Sequence, residues 1–189
     1  MVGVSQPRAS QVLKHLTQHA AVRATDDGYV GRRAKLLDLY AHRARPSVVG
    51  PETYWYSTRP QADQAARIVE GTRHARVEVA FSADLGPDLL VPWRHPTLTI
   101  VYADAELPTK QLGLVTAEGR ADATFIVRWT ADRTLLRSAS PWPAAVDGIP
   151  LTDPIQQWWD LLDLGGEDRR EGAERLRTAI IDRTVPGAV

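Results

Sequence analysis

Cysteine is absent from this 189-residue chain, which removes disulfides, thiol nucleophiles and the usual thiolate zinc sites together. No apolar run approaches the roughly 20 residues that a membrane span requires, and the chain turns polar within a few residues of Met1, so no signal peptide is read. The expectation is a cytoplasmic protein with no membrane partner. Lysine is scarce, with Lys14, Lys35 and Lys110 standing against arginine at every other basic position; such a skew follows coding bias and says little about chemistry. An excess of charge is lacking too, because 23 basic side chains balance 23 acidic ones, which argues against a generic nucleic-acid coat. What is present supports a globular protein: 43% of residues are apolar, enough for one larger domain or two small ones. The charge is also uneven. Residues 1–45 hold eight Lys or Arg and three acids, a net of +5, so residues 46–189 carry −5. A positive end is where an anionic partner is expected.

That end contains Val4-Ser5-Gln6-Pro7-Arg8-Ala9-Ser10-Gln11-Val12-Leu13-Lys14-His15-Leu16. Ser5 suits a helix cap, and Pro7 wastes no donor in a first turn, so a helix is predicted from about Gln6 to His19. At 100° per residue Ala9, Val12, Leu13 and Leu16 share one side, and Gln6, Pro7, Ser10, Gln11 and Lys14 share the other. Short donors and acceptors with a single charge suit base edges in a major groove, where Gln pairs with adenine and Ser bonds a base or a phosphate. Val22 to Val30 then alternates like a hairpin, with Asp27-Gly28 as its expected turn. Helix and hairpin read as a recognition helix and its wing, although an ordinary amphipathic helix followed by an ordinary hairpin has the same pattern.

These thirty residues resemble the winged helix-turn-helix regulators of bacteria, among them the MarR and ArsR types. After them, Arg32 to Arg43 carries Leu36, Leu37, Leu39 and Tyr40 at helical spacing, and is expected to pack back on the recognition helix. Arg32, Arg33 and Lys35 open that helix, where positive charge opposes the helix dipole unless an anion lies near. A phosphate backbone would serve, and so would simple solvation. Double-stranded operator DNA is the partner so implied, with Ser5, Gln6, Arg8, Ser10, Gln11, Lys14, Arg23, Tyr29, Arg32 and Arg33 as the candidate contacts. Ala44 to Pro51 has two prolines and a glycine and reads as a linker, giving residues 1–45 as a DNA-binding unit and 46–189 as a second domain.

The second domain reads as mixed α/β, so the fold class is α+β. Thr53 to Ser57 is strand-like, Gln61 to Val69 helical with Ala65, Ala66 and Val69 apolar, and Arg76 to Phe81 a strand. Ser82 to Trp93 is read as a helix interrupted at Gly86-Pro87, followed by strands at Leu98–Tyr102 and Ala123–Trp129, with Thr134–Arg137 as a further strand. Asp153-Pro154 caps a helix with Ile155, Trp158, Trp159 and Leu162 as its apolar stripe. Gly165-Gly166 breaks the chain, and Asp168 to Arg183 restarts it with Ala173, Leu176, Ala179 and Ile180 inward. Two antiparallel helices are expected to end the domain. The glycine pair lacks the preceding strand and following GK[ST] of a phosphate loop.

Residues 53–183 resemble the C-terminal part of AbiEi-type antitoxins, regulators of type IV toxin–antitoxin systems. The resemblance is carried by Thr53-Tyr54-Trp55-Tyr56-Ser57, by Phe81-Ser82-Ala83-Asp84-Leu85 leading to Pro92-Trp93-Arg94-His95-Pro96-Thr97, by Leu151 to Leu162, and by Ala173-Glu174-Arg175-Leu176-Arg177. It implies an autorepressor that binds its own operator, is compatible with a homodimer, and counters a nucleotidyltransferase-like toxin without required direct binding. It implies no cofactor.

The order strand, Ser82, helix, Thr97, strand is reminiscent of nucleotidyltransferases, whose next strand carries two carboxylates at i and i+2 to hold divalent metals. Here that strand is Leu98-Thr99-Ile100-Val101-Tyr102, and its first acid is Asp104. His74 and His95 have no metal-ligand spacing, and Ser57 and Ser82 no neighbour that marks a base. The expectation is therefore a DNA-binding regulator without catalytic activity. The alternative is a ligand-sensing or protein-interaction module whose N-terminal helix forms an interface. A winged helix also places two helices before the recognition helix, over positions matching Ala9, Leu13 and Leu16. Only three residues precede Val4, so the expectation is a longer natural N-terminus, or else cover from the helix after the wing, the second domain or a partner subunit.

Overall fold

A computed structural model describes residues 5–43, 51–137 and 142–185. The chain divides into two compact units, Met1–Arg45 and Pro46–Val189. The predicted linker, apart from Pro51, lies outside the described residues.

The first unit runs α1 (Gln6–Gln18), β1 (Val22–Thr25), β2 (Gly28–Gly31) and α2 (Arg33–Arg43). Ser5 precedes α1 in extended conformation, but its side chain makes no capping bond; Pro7 lies in the first turn, and the Ser5 carbonyl accepts from Ala9 N at 3.0 Å. The expected hydroxyl cap is thus replaced by backbone geometry. The chain reverses through Ala20, whose φ is 52°. Ala21, fully buried, then donates its N–H to Leu16 and accepts from Arg32 N at 2.8 Å, tying the helix to the end of the hairpin. The hairpin pairs Thr25 with Gly28, so its turn is Asp26-Asp27, one residue earlier than predicted. Neither aspartate has positive φ; Gly28 takes it instead, at 132°. Among the described side chains of α2 only Leu37 is buried, and Tyr40 is exposed. The two helices flank an open groove lined by Val12, Leu16, Leu36, Leu39 and Tyr40, where close packing had been expected.

The second unit contains β3 (Glu52–Tyr56), α3 (Gln61–Ala75), β4 (Val79–Ala83), α4 (Leu85–Leu90), β5 (Thr99–Ala103), α5 (Thr109–Leu112), β6 (Val115–Thr116), β7 (Phe125–Trp129), β8 (Ala145–Val146), β9 (Ile149–Pro150), α6 (Pro154–Leu164) and α7 (Glu167–Asp182). Five strands form a mixed sheet in the order β4-β5-β7-β3-β6, in which β5 and β7 alone are parallel. The molecule is α+β. Strand side chains alternate between faces. On one face Thr99 donates to Gln61 of α3 at 2.7 Å. On the other, Ile100, Tyr102 and Ile126 join Leu98, Leu135 and Leu136 in a core cluster, and α6 covers Ser82 and Tyr102. Helix α7 packs on α6 and buries Ala173, Leu176, Ala179 and Ile180. Gly165 and Gly166, both at positive φ, make the break between them.

Several sequence boundaries move. Helix α3 is longer than read, and its buried side is Ala65, Ile68 and Thr72 while Ala66 is exposed. Arg76, expected to begin a strand, ends α3 in the left-handed conformation at φ 55°. Ser82 belongs to β4, and Gly86-Pro87 lies inside α4, because a proline in a first turn forfeits no intrahelical bond. Thr134–Arg137 forms turns rather than a strand, yet it buries Leu135 and Leu136. Among the described residues no helix is long and apolar enough to cross a membrane.

One buried carboxylate organises the edge of this unit. Asp84, at the end of β4, accepts from Arg169 Nε and Nη2 at 2.7 and 3.1 Å, from Arg94 Nη2 at 3.2 Å, and from the backbone of Thr97 and Leu98 at 3.2 and 3.1 Å. Burial alone would raise its pKa, but Arg169 and these amides outweigh that and hold it below the ordinary 3.8. The start of α7 is thereby clamped to the loop before β5.

Candidate nucleic-acid interface

Helix α1 contains no acid and buries no residue. Gln6, Ser10 and Lys14, at successive fourth positions, lie along one exposed strip with Gln11 beside it, and Ser5 and Arg8 are exposed at its start. Four residues able to address a groove are thus brought together by helical spacing alone. A strip of this kind offers amide and hydroxyl groups for base edges and one ammonium for a phosphate.

The hairpin separates what the sequence had grouped. Arg23 pairs with Val30, and Ala24 with Tyr29. Directly opposed residues share a face and successive ones alternate, so Arg23 and Tyr29 project from opposite faces. Both are exposed, as is Arg32, while Arg33 is half-buried at the start of α2. The two candidate contacts of the hairpin therefore face opposite ways. Sequence reasoning missed the groove beside the strip. Val12 is 50% exposed, although the apolar stripe had been expected to be covered, and Ala9, Leu13 and Leu16 are only half-buried.

The second unit holds a polar cluster of the opposite kind. Arg128 of β7 donates to Asp160 Oδ1 at 2.7 Å, to Asp163 Oδ2 at 2.8 Å and to Glu52 Oε1 at 2.8 Å. Asp160 also accepts from Tyr102 Oη at 2.9 Å, from Gln156 Nε2 at 3.1 Å and from Ser82 Oγ. Burial pushes the Asp160 pKa up to about 6 against the pull of Arg128 and these donors. Burial and the neighbouring carboxylate raise the Tyr102 phenol. For Arg128 burial acts the other way, but Asp160 and the remaining partners outweigh it and the guanidinium is held more firmly charged than usual. Ser82, Tyr102, Arg128 and Asp160 are exposed by 1% or less, so no substrate atom reaches the serine oxygen in this arrangement. The predicted stripe on α6 is corrected accordingly. Leu162 is exposed, Ile155 and Trp159 are half-buried, and the buried face is Gln156, Gln157, Trp158, Asp160 and Leu161. The cluster was signalled by a lone arginine in the strongest strand and by acids three apart on a helix.

Other candidates are placed plainly. Ser57 donates to Gln64 Oε1 at 3.0 Å, His74 and His95 are exposed, and Asp104 accepts from Glu78 N at 2.9 Å. Among the described residues no group of three or more His, Asp or Glu is placed to hold a metal ion. No family model, no curated protein and no solved structure matches the chain.

Proposed function

We propose that this chain is a DNA-binding transcriptional regulator, with a winged-helix type first unit that reads an operator and a second unit of the antitoxin type. On this reading it represses its own operon, counters a nucleotidyltransferase-like toxin without having to bind it, and has no catalytic role of its own. The supporting observation is the acid-free strip of Gln6, Ser10, Gln11 and Lys14, exposed on a helix none of whose residues is fully buried. The net +5 of residues 1–45 supports an anionic partner. The antitoxin assignment rests on the resemblance of residues 53–183.

Titration of the full chain against the DNA upstream of its gene and against a random duplex, over a salt series, tests it. Replacing Gln11 by Ala is expected to cost about 1–3 kcal/mol of discrimination between the two. Replacing Arg23 or Arg32 is expected to weaken both duplexes alike and flatten the salt dependence. Equal losses on both DNAs for all three variants remove base reading from Gln11, and absence of salt-sensitive binding removes DNA as the partner. One observation favours a second reading, a protein-interaction or ligand-sensing module: the apolar groove of Val12, Leu16, Leu36, Leu39 and Tyr40 lies on the same helix.

A further inference from the structure

The second unit has a cavity of about 590 Å³ between the starts of β5 and β7 and the first turn of α7, a size typical of small-molecule sites. Its wall divides by chemistry. Arg120 and Arg169 supply donors, and Leu98, Ala123 and Leu164 supply an apolar surface; the Thr97 hydroxyl on the same wall already gives its proton to Asp84 at 3.0 Å. We propose that this cavity binds a small phosphate monoester, the phosphate on Arg120 and Arg169 and the organic group on the apolar wall. The proposal is independent of the DNA-binding reading.

Each arginine is oriented by a carboxylate and keeps donors to spare. Arg169 gives Nε and Nη2 to Asp84, which leaves Nη1; Arg120 gives Nη2 to Glu52 at 3.1 Å, which leaves Nε and Nη1. Among the described residues nothing else takes these groups. Asp84 is also shared with Arg94, so two guanidiniums converge on one buried negative charge. The further acid on Arg94, Asp168, is largely exposed and screened. Holding the side chains in place beforehand lowers the entropy lost on binding. Guanidiniums from two different segments of the chain approach an anion from more than one direction, which suits the three terminal oxygens of a phosphate better than a flat carboxylate. A bare phosphate would leave Leu98, Ala123 and Leu164 uncovered, and an ester covers them.

Calorimetric and NMR titration of the full chain with AMP, a sugar phosphate, inorganic phosphate and adenosine tests this. The expected result is binding of at least one monoester below about 1 mM, with shifted amide resonances confined to residues 97–98, 120–123 and 164–169. Inorganic phosphate is expected to bind at least tenfold more weakly, and adenosine not at all. The Arg120→Gln variant, altered at a half-exposed side chain, is expected to keep the fold and lose at least tenfold in affinity. Arg169→Lys serves as a second variant, read only if its melting temperature is retained. No monoester binding, adenosine binding as well as AMP, unchanged affinity in folded Arg120→Gln, or displacement of AMP by a DNA duplex would each overturn the proposal.

Discussion

Helices α1 and α6 begin alike and end in opposite situations. Both open with proline in the first turn and both carry apolar residues at helical spacing. Helix α6 buries six of its eleven residues, among them Gln156, Gln157 and Asp160, whereas α1 buries none of its thirteen. The difference teaches that periodicity locates a helix without saying what will cover it. In α6 the buried polar groups Asp160 and Gln156 are met by Arg128, Tyr102 and Ser82 opposite on the sheet, and Gln157 donates to the Thr152 carbonyl at 2.7 Å. In α1 every residue is exposed or half-buried among the described residues, and its polar strip and the apolar groove beside it both lie open.

The largest expected effect breaks the α6 side of this contrast. Arg128→Met leaves Asp160 buried with its main counter-charge gone, a change that costs about 3–5 kcal/mol. Chemical denaturation should show that loss. The double variant Arg128→Met with Asp160→Leu should recover much of it, since removing both charges of a buried pair is often neutral. A single variant as stable as the parent would mean that the cluster is not held as described.

The Asp84 clamp sharpens the contrast through pH. Its carboxyl has a folded pKa below 3.8, so the unfolded chain binds the proton more tightly, and stability present above about 3.8 is lost as pH falls through the folded value. Glu52 acts in the same sense, because Arg128 and Arg120 outweigh the effect of its burial. Asp160 has the opposite sign: its folded pKa of about 6 exceeds the ordinary 3.8, so its contribution falls as pH rises between those values. Asp84→Asn is expected to cost about 1.5–3 kcal/mol at pH 7 through lost charge-assisted bonds, and to make the decline below pH 4 shallower. An acid limb as steep as the parent's would show that Asp84 titrates normally.

A smaller effect is expected at Gly172. Alanine inside a helix ordinarily gains up to about 1 kcal/mol over glycine. Here an added Cβ would lie 2.7 Å from the Trp93 ring, so Gly172→Ala should lower stability by about 1–3 kcal/mol. A rise in melting temperature would show that the indole moves aside at no cost.

The longer helices, the main strands and the fold class were legible because they rest on local periodicity and on capping signals such as Asp153, which accepts from Ile155 N at 2.9 Å; the four-residue α5 is too short to carry such a pattern. Turn chemistry was legible in kind and misplaced in position. Asp147-Gly148 makes the tight turn between β8 and β9 with both residues at positive φ, 49° and 79°, whereas Asp27-Gly28 does not turn in that way. The candidate DNA strip was legible because it lies within one helix. Arg128, Asp160, Tyr102 and Ser82 were not, since they are brought together by sheet order across up to 78 residues, which no local pattern encodes. The pairing of Arg120 with Arg169 around one cavity was hidden for the same reason.

The smallest expected effect concerns the uncovered face of α1 and decides whether the contrast holds in solution. Val12 is half-exposed beside the groove, so Val12→Ser removes little apolar area from a buried setting. Surface substitutions of this kind change stability by less than about 0.5 kcal/mol. A valine buried on all sides would instead cost about 1.5–3 kcal/mol or more, because the lost transfer energy and a buried hydroxyl add together. Unfolding of the parent and the variant at two protein concentrations separates the cases. Equal stability at both concentrations is expected if the groove stands open. A loss above about 1.5 kcal/mol that shrinks on dilution, because association stabilises the parent more than the variant, would show that a second copy of the chain covers the face, and a loss independent of concentration would show that the chain covers it itself.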